Sequence, residues 1–72
     1  FRGIDFAAEA SVPELYRRAL ELERRTLAHF EHRAFNLPPG MERELYREMA
    51  AEEVEHVALL EAEMRTLRTL AG

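Results

Sequence analysis

The sequence predicts an all-α protein, an antiparallel two-helix hairpin that dimerises into a four-helix bundle. Three observations carry this. Two long stretches repeat apolar residues at spacings of three, four and seven, the pattern of one buried helical face. A single breaker, Leu37-Pro38-Pro39-Gly40, separates them and is short enough to demand a reversal of direction. At 72 residues the chain sits where a lone core is marginal, and the absence of cysteine removes disulfides and thiolate metal sites as remedies. A partner chain, oxygen and nitrogen metal ligands, or both must then supply the missing stability. Nothing alternates with period two, so no strand is expected.

The elements follow in order along one domain over residues 1–72. Residues 1–10 (FRGIDFAAEA) read as an N-terminal arm without sustained period. Phe1, Ile4 and Phe6 make it too apolar to leave in water, and packing against a neighbouring subunit is expected. Helix 1 is expected over 11–36. Ser11 can cap it, Pro13 suits its first turn, and Glu14 stands three residues after Ser11 as in a capping box. Asn36 is its stop. The turn occupies 37–40, where two prolines and a glycine cannot continue a helix. Helix 2 is expected over 41–70, built from strong helix formers.

Charge excludes some functions. The net charge is −4 and there is no lysine; of the ten arginines, Arg17 with Arg18 and Arg24 with Arg25 form adjacent pairs among glutamates. That is a solvated helix surface with i,i+4 pairing rather than the basic stripe of a nucleic-acid-binding face. No apolar stretch approaches the length of a membrane span and no signal-peptide layout is present, so a soluble chain is expected.

Each apolar stripe has a gap, and the gaps are where chemistry enters. On helix 1 the stripe runs Tyr16, Ala19, Leu20, Leu27, Phe30, Ala34, with Glu23 in its middle. On helix 2 it runs Leu45, Met49, Val57, Leu60, Met64, Leu67, interrupted by Glu53 and His56. Glu23 and Glu53 each lie 15 positions from Pro38 at the hairpin tip (38 − 23 and 53 − 38). At about 1.5 Å per residue both stand roughly 22 Å along their helices, so folding sets them face to face.

Glu53-x-x-His56 places a carboxylate and an imidazole on one helical face. Oxygen and nitrogen donors converging inside a bundle suit iron or manganese, and also accept zinc. Helical bundles build dinuclear carboxylate sites from a glutamate on each of two helices and a Glu-x-x-His on each of two others. One hairpin supplies half that set: Glu23, Glu53 and His56. A second copy would complete it, and four carboxylates at −4 would match two divalent cations. Without metal, gathering those charges costs about several kcal/mol per ion.

The stretches "ALELERRTLAHF" (19–30) and "MAAEEVEHVALLEAE" (49–63) carry a resemblance to the rubrerythrin branch of the ferritin-like superfamily, and most to the two-helix encapsulated ferritins. The likeness spans roughly positions 14 to 67. In those proteins a ligand glutamate precedes a Glu-x-x-His by 30 positions, as Glu23 precedes Glu53. The resemblance implies a ferritin-like half-bundle that dimerises around a di-iron site, with Glu23 bridging the irons and Glu53 and His56 binding them. It implies a ferroxidase that oxidises Fe(II) to Fe(III) with dioxygen for iron storage and detoxification. A larger ring-like oligomer, a cytoplasmic location and enclosure in an encapsulin-type shell belong to the same implication. The chain departs from the family pattern at Phe30, where a tyrosine is usual, and at Leu22 and Arg25, where acidic residues linked to metal entry are usual. No cargo tail is recognisable before Gly72.

Rival readings stand beside this one. A rubrerythrin-type peroxidase would keep the metals but, lacking cysteine for a rubredoxin centre, would need an external electron donor. A helical dimerisation module would use buried Glu and His only to fix register. Glu52, Glu55, Glu61 and Glu63 read as surface charge, and His29 and His32 as surface histidines. Tyr16 and Tyr46, each seven residues before a candidate ligand, read as core or rim aromatics, and Met49 and Met64 as gap-filling core.

Overall fold

A computed structural model describes residues 11–71; the arm over 1–10, and with it the expected packing on a neighbour, lies outside the described residues. Two helices, α1 (Val12–Asn36) and α2 (Met41–Ala71), make up the described chain, which contains no strand. The Ser11 hydroxyl accepts the Glu14 backbone N–H at 3.2 Å, and Pro13 sits in the first turn. At the far end the Leu37 N–H donates to the Arg33 carbonyl at 3.2 Å, closing the helix before the prolines. The Gly40 carbonyl then accepts from Glu44 at 3.1 Å and opens α2.

The helices pack antiparallel along their length, and side-chain contacts give the register. The rings of Phe30 and Tyr46 lie 6.1 Å apart, each 8 positions from Pro38. The Arg33 guanidinium sits 5.2 Å over the Tyr46 ring and also reaches Glu42 at 3.8 Å. Near the open end Arg24 bonds Glu61 across the pair at 2.7 Å. Such exposed ion pairs contribute about 0.2–1 kcal/mol each, so they fix register more than they stabilise.

The apolar seam between the helices is thin. Only Leu20 and Ala34 are buried among the described residues, Leu20 at 6% exposure, and no side chain is fully enclosed. Val57, Leu60, Met64 and Leu67 are half-buried as the stripe requires, but Leu45 is 54% exposed. In helical phase Leu45 stands about 80° round from Glu53, past the edge of the inter-helix seam. Leu22, Leu59 and Met41 are exposed as well. Two helices bury one stripe each, and apolar side chains beside that stripe stay in water until something covers them. No described helix is long and apolar enough to cross a membrane.

Leu20 is the one long apolar side chain closed off within the hairpin, so it should dominate what stability the hairpin has alone. Leu20→Ala is expected to cost about 2 kcal/mol or more in urea unfolding followed by helicity. A loss below about 0.5 kcal/mol would place it with surface substitutions and contradict the seam described.

Candidate metal centre

The two glutamates at matched height meet in the structure. One ligand atom from each of Glu23, Glu53 and His56 lies within 4.8 Å of the others. His56 Nδ1 stands 3.3 Å from Glu53 Oε1 and 3.9 Å from Glu23 Oε2. Helical spacing of three brings the imidazole onto the same side as Glu53, and the hairpin register brings α1 across to both.

The cluster is shielded on one side and open on the other. The Glu53 side chain is 14% exposed, and its Oε2 is shut off from water with no hydrogen-bond partner. An orphaned carboxylate oxygen of this kind carries an uncompensated desolvation cost. Glu23 is half-buried, while His56 is 57% exposed and forms the outer wall.

The electrostatics follow from this geometry. The Glu23 carboxyl is raised above the ordinary carboxylate range, first because it shares a hydrogen bond with Glu53. Partial desolvation and the Glu53 charge push the same way, and His56 opposes them. Two carboxylates this close favour holding a proton between them. A cation between them would do the same work with more charge, and it would give the unpaired Glu53 oxygen a partner. Two carboxylates and an imidazole fit iron or manganese, and accept zinc. Three donors on one hairpin fall short of the set that two metal ions require.

The other residues singled out by spacing lie elsewhere. His29 rests against the Phe30 ring at 5.9 Å, and His32 packs its ring nitrogens at 3.2–3.3 Å from the Asn36 amide. Neither joins the cluster. Glu52 and Glu55 are exposed. Tyr46 is held between Phe30 and Arg33. Two acids expected as surface charge also have partners. Glu61 pairs with Arg24, and Glu63 lies by Tyr16, whose phenol is raised by the hydrogen bond to that carboxylate and by its charge. The register held the signal for the second pair. Tyr16 is 22 positions before Pro38 and Glu63 is 25 after it, about one turn apart in height.

Searches of protein-family descriptions, characterised proteins and solved structures find no match to this chain, so the assignment rests on its residues.

The raised Glu23 carboxyl has a consequence for metal-free protein. Its folded value exceeds its unfolded one, so it stabilises the fold at low pH. That contribution is lost as pH rises through the raised value. Thermal unfolding of metal-free protein, followed by circular dichroism, should show the melting temperature of the native chain falling over that interval relative to Glu23→Gln. Parallel pH profiles for the two proteins would contradict the shared proton.

Proposed function

We propose that two copies of the chain close a four-helix, ferritin-like bundle around a dinuclear iron site, and that the assembly acts as a ferroxidase. The carrying observation is the convergence of Glu23, Glu53 and His56 between two helices, with Glu53 Oε2 shielded and unpartnered. The likeness to encapsulated ferritins over positions 14 to 67 supports the same reading.

The exposed leucines support a second copy as the cover. At about 100° per residue, His56, Leu45 and Leu59 lie roughly 60°, 80° and 120° round from Glu53 in one sense, and Leu22 lies roughly 100° round from Glu23 in the same sense. In an antiparallel pair, equal rotation from facing positions turns toward the same broad face. The open side of the cluster therefore looks out over Leu22, Leu45 and Leu59, all exposed in the single chain. A partner seated there would bury apolar surface and bring a second Glu23, Glu53 and His56 to the same height.

Within that assembly each residue has a task. Glu23, half-buried on α1 across from the other two donors, would help hold the ions. Glu53 would hold one through its shielded oxygen, and His56 would complete the set from the solvent side. The redox step would convert two Fe(II), arriving as substrate, to two Fe(III), their two electrons and two protons reducing one dioxygen to hydrogen peroxide, which leaves. The carboxylates would neutralise the charge that builds on oxidation and release the shared proton when metal enters. Tyr16 with Glu63, and Tyr46 under Arg33, would frame the site along the helices.

One observation favours a second reading. The Glu23 carboxyl is raised by its proximity to Glu53 and so tends to hold a proton that eases the like-charge contact without metal, and a polar cluster of this kind can set register in a dimerisation module.

Elemental analysis separates the two. The metal reading expects about one iron per chain after exposure to Fe(II) and air, and a metal-free dimer would sink it. Removing one ligand should cost more than the about 10–100-fold in affinity that losing an outer-shell partner costs. Glu23→Ala and His56→Ala are thus expected to lose rapid Fe(II) oxidation, followed by absorbance, while keeping their helicity. Native rates in either variant would refute the ligand assignment. Leu59→Glu, which touches no ligand, should shift sedimentation from two chains to one and take metal binding with it; retained metal in a single chain would contradict the shared site.

A further inference from the structure

At the open end of the hairpin, Pro13, Arg17, Met64, Leu67 and Arg68 line an apolar pocket of about 200 Å³. Met64 and Leu67 are half-buried and the two arginines exposed, so the pocket has an apolar base and a cationic rim. Met64 and Leu67 stand 26 and 29 positions after Pro38, against 15 for Glu53, which puts them roughly 16–21 Å further along α2 than the cluster. Pro13 and Arg17 lie roughly 80–120° round from Glu23, and Arg68 roughly 60° round from Glu53, both in the sense opposite to Leu22 and Leu59. Whatever covers the leucines around the cluster leaves this pocket in water.

The charges at this end do not balance. Glu14 is shared between Arg17 and Arg18, while Arg65 and Arg68 take part in no ion pair among the described residues. A chain of net charge −4 thus carries a local excess of cations beside apolar surface. An apolar group flanked by carboxylates would satisfy both.

We propose that the chain's own arm over residues 1–10 occupies this pocket, with the Phe6 ring inserted between Arg17 and Arg68 and with Asp5 and Glu9 beside those arginines. The tether makes the arm the nearest candidate. Ser11 caps α1 in extended backbone two positions before Pro13, and Phe6 stands five positions before Ser11. Five residues span up to about 18 Å, and packed helix axes lie about 8–10 Å apart, so the ring reaches either wall of the pocket with slack. A tether this short keeps the ring at an effective concentration of about millimolar.

Size and charge then choose which side chain enters. An apolar cavity of roughly 150 Å³ takes up one benzene molecule, so this pocket has room for one phenyl ring, and the arm offers two. Phe1 is followed by Arg2, which would bring another guanidinium against the arginine rim. Phe6 lies between Asp5 and Glu9, whose charges are of the sign the rim lacks. The guanidinium groups are also attracted to the face of the ring itself. Insertion covers Met64 and Leu67 with a side chain that α1 does not provide and extends the thin seam to the open end. The arm is then held by its own hairpin rather than by a neighbouring subunit.

Methyl NMR of the full, metal-free chain tests this through the Met64 methyl, which the ring current of an inserted phenyl group displaces. Phe6→Leu should return that signal to the position of an open methionine methyl, and Phe1→Leu should leave it as in the native chain. Asp5→Arg combined with Glu9→Arg should move it toward the same open position at low salt, where such pairs are least screened, and Arg2→Glu should not. In a refolded mixture of isotope-labelled and unlabelled chains, the Overhauser contact between the Phe6 ring and Met64 should stay within one chain. A Met64 signal indifferent to Phe6→Leu, one moved equally by Phe1→Leu, one that survives the charge reversal, or a contact that crosses between chains would each overturn the proposal.

Discussion

Two carboxylates brought together between helices are the constraint on which the rest of this structure depends. Glu23 and Glu53 occupy core positions, where leucines would have closed the seam, and each has a cost attached to its negative charge. The raised Glu23 carboxyl and the unpartnered Glu53 oxygen express that cost in two forms, one by holding a proton and one by lacking a partner. An arrangement that disfavours charge when empty favours a cation when one is present. The metal binding proposed for this cluster would therefore be coupled to stability through the same few atoms.

The hairpin around the cluster is built to be incomplete. Its seam closes only Leu20 and Ala34, and larger apolar side chains flank the seam on both broad faces. The described hairpin leaves leucines around the cluster and Phe35 with Val54 on the reverse in water, apolar surface that further helices could cover. The caps and the turn make this workable. They set where each helix starts and stops without help from a core, through Ser11 and Glu14 at one end and the Arg33–Leu37 bond before the prolines at the other.

Much of this was legible in the sequence because the turn is short and rigid. With Pro38 as the tip, position on one helix determines height on the other, and both Glu23–Glu53 and Phe30–Tyr46 obey that rule. Helix ends were legible from capping chemistry to within a residue: Val12–Asn36 and Met41–Ala71 against expected spans of 11–36 and 41–70. Less legible was anything that depends on long side chains. Arg24 stands 14 positions before Pro38 and Glu61 stands 23 after it, so their bond runs diagonally along the pair and no height rule would have found it. Leu45 failed for a different reason. Periodicity groups residues within a half-cylinder, whereas a single partner helix covers a narrower arc, and Leu45 falls in the difference. In a two-helix protein the width of the apolar stripe thus carries information that its period does not: the excess width marks where further helices are wanted.

The central claim is that Glu23, Glu53 and His56 are half of a metal site completed by a second chain. Crystallography of iron-loaded protein with anomalous scattering at the iron edge tests it most directly. The account requires two iron peaks between two chains related by a two-fold axis, bound by those three residues from each. Iron bound elsewhere, iron held by a single hairpin, or a dimer whose glutamates face each other with no metal between them would contradict it.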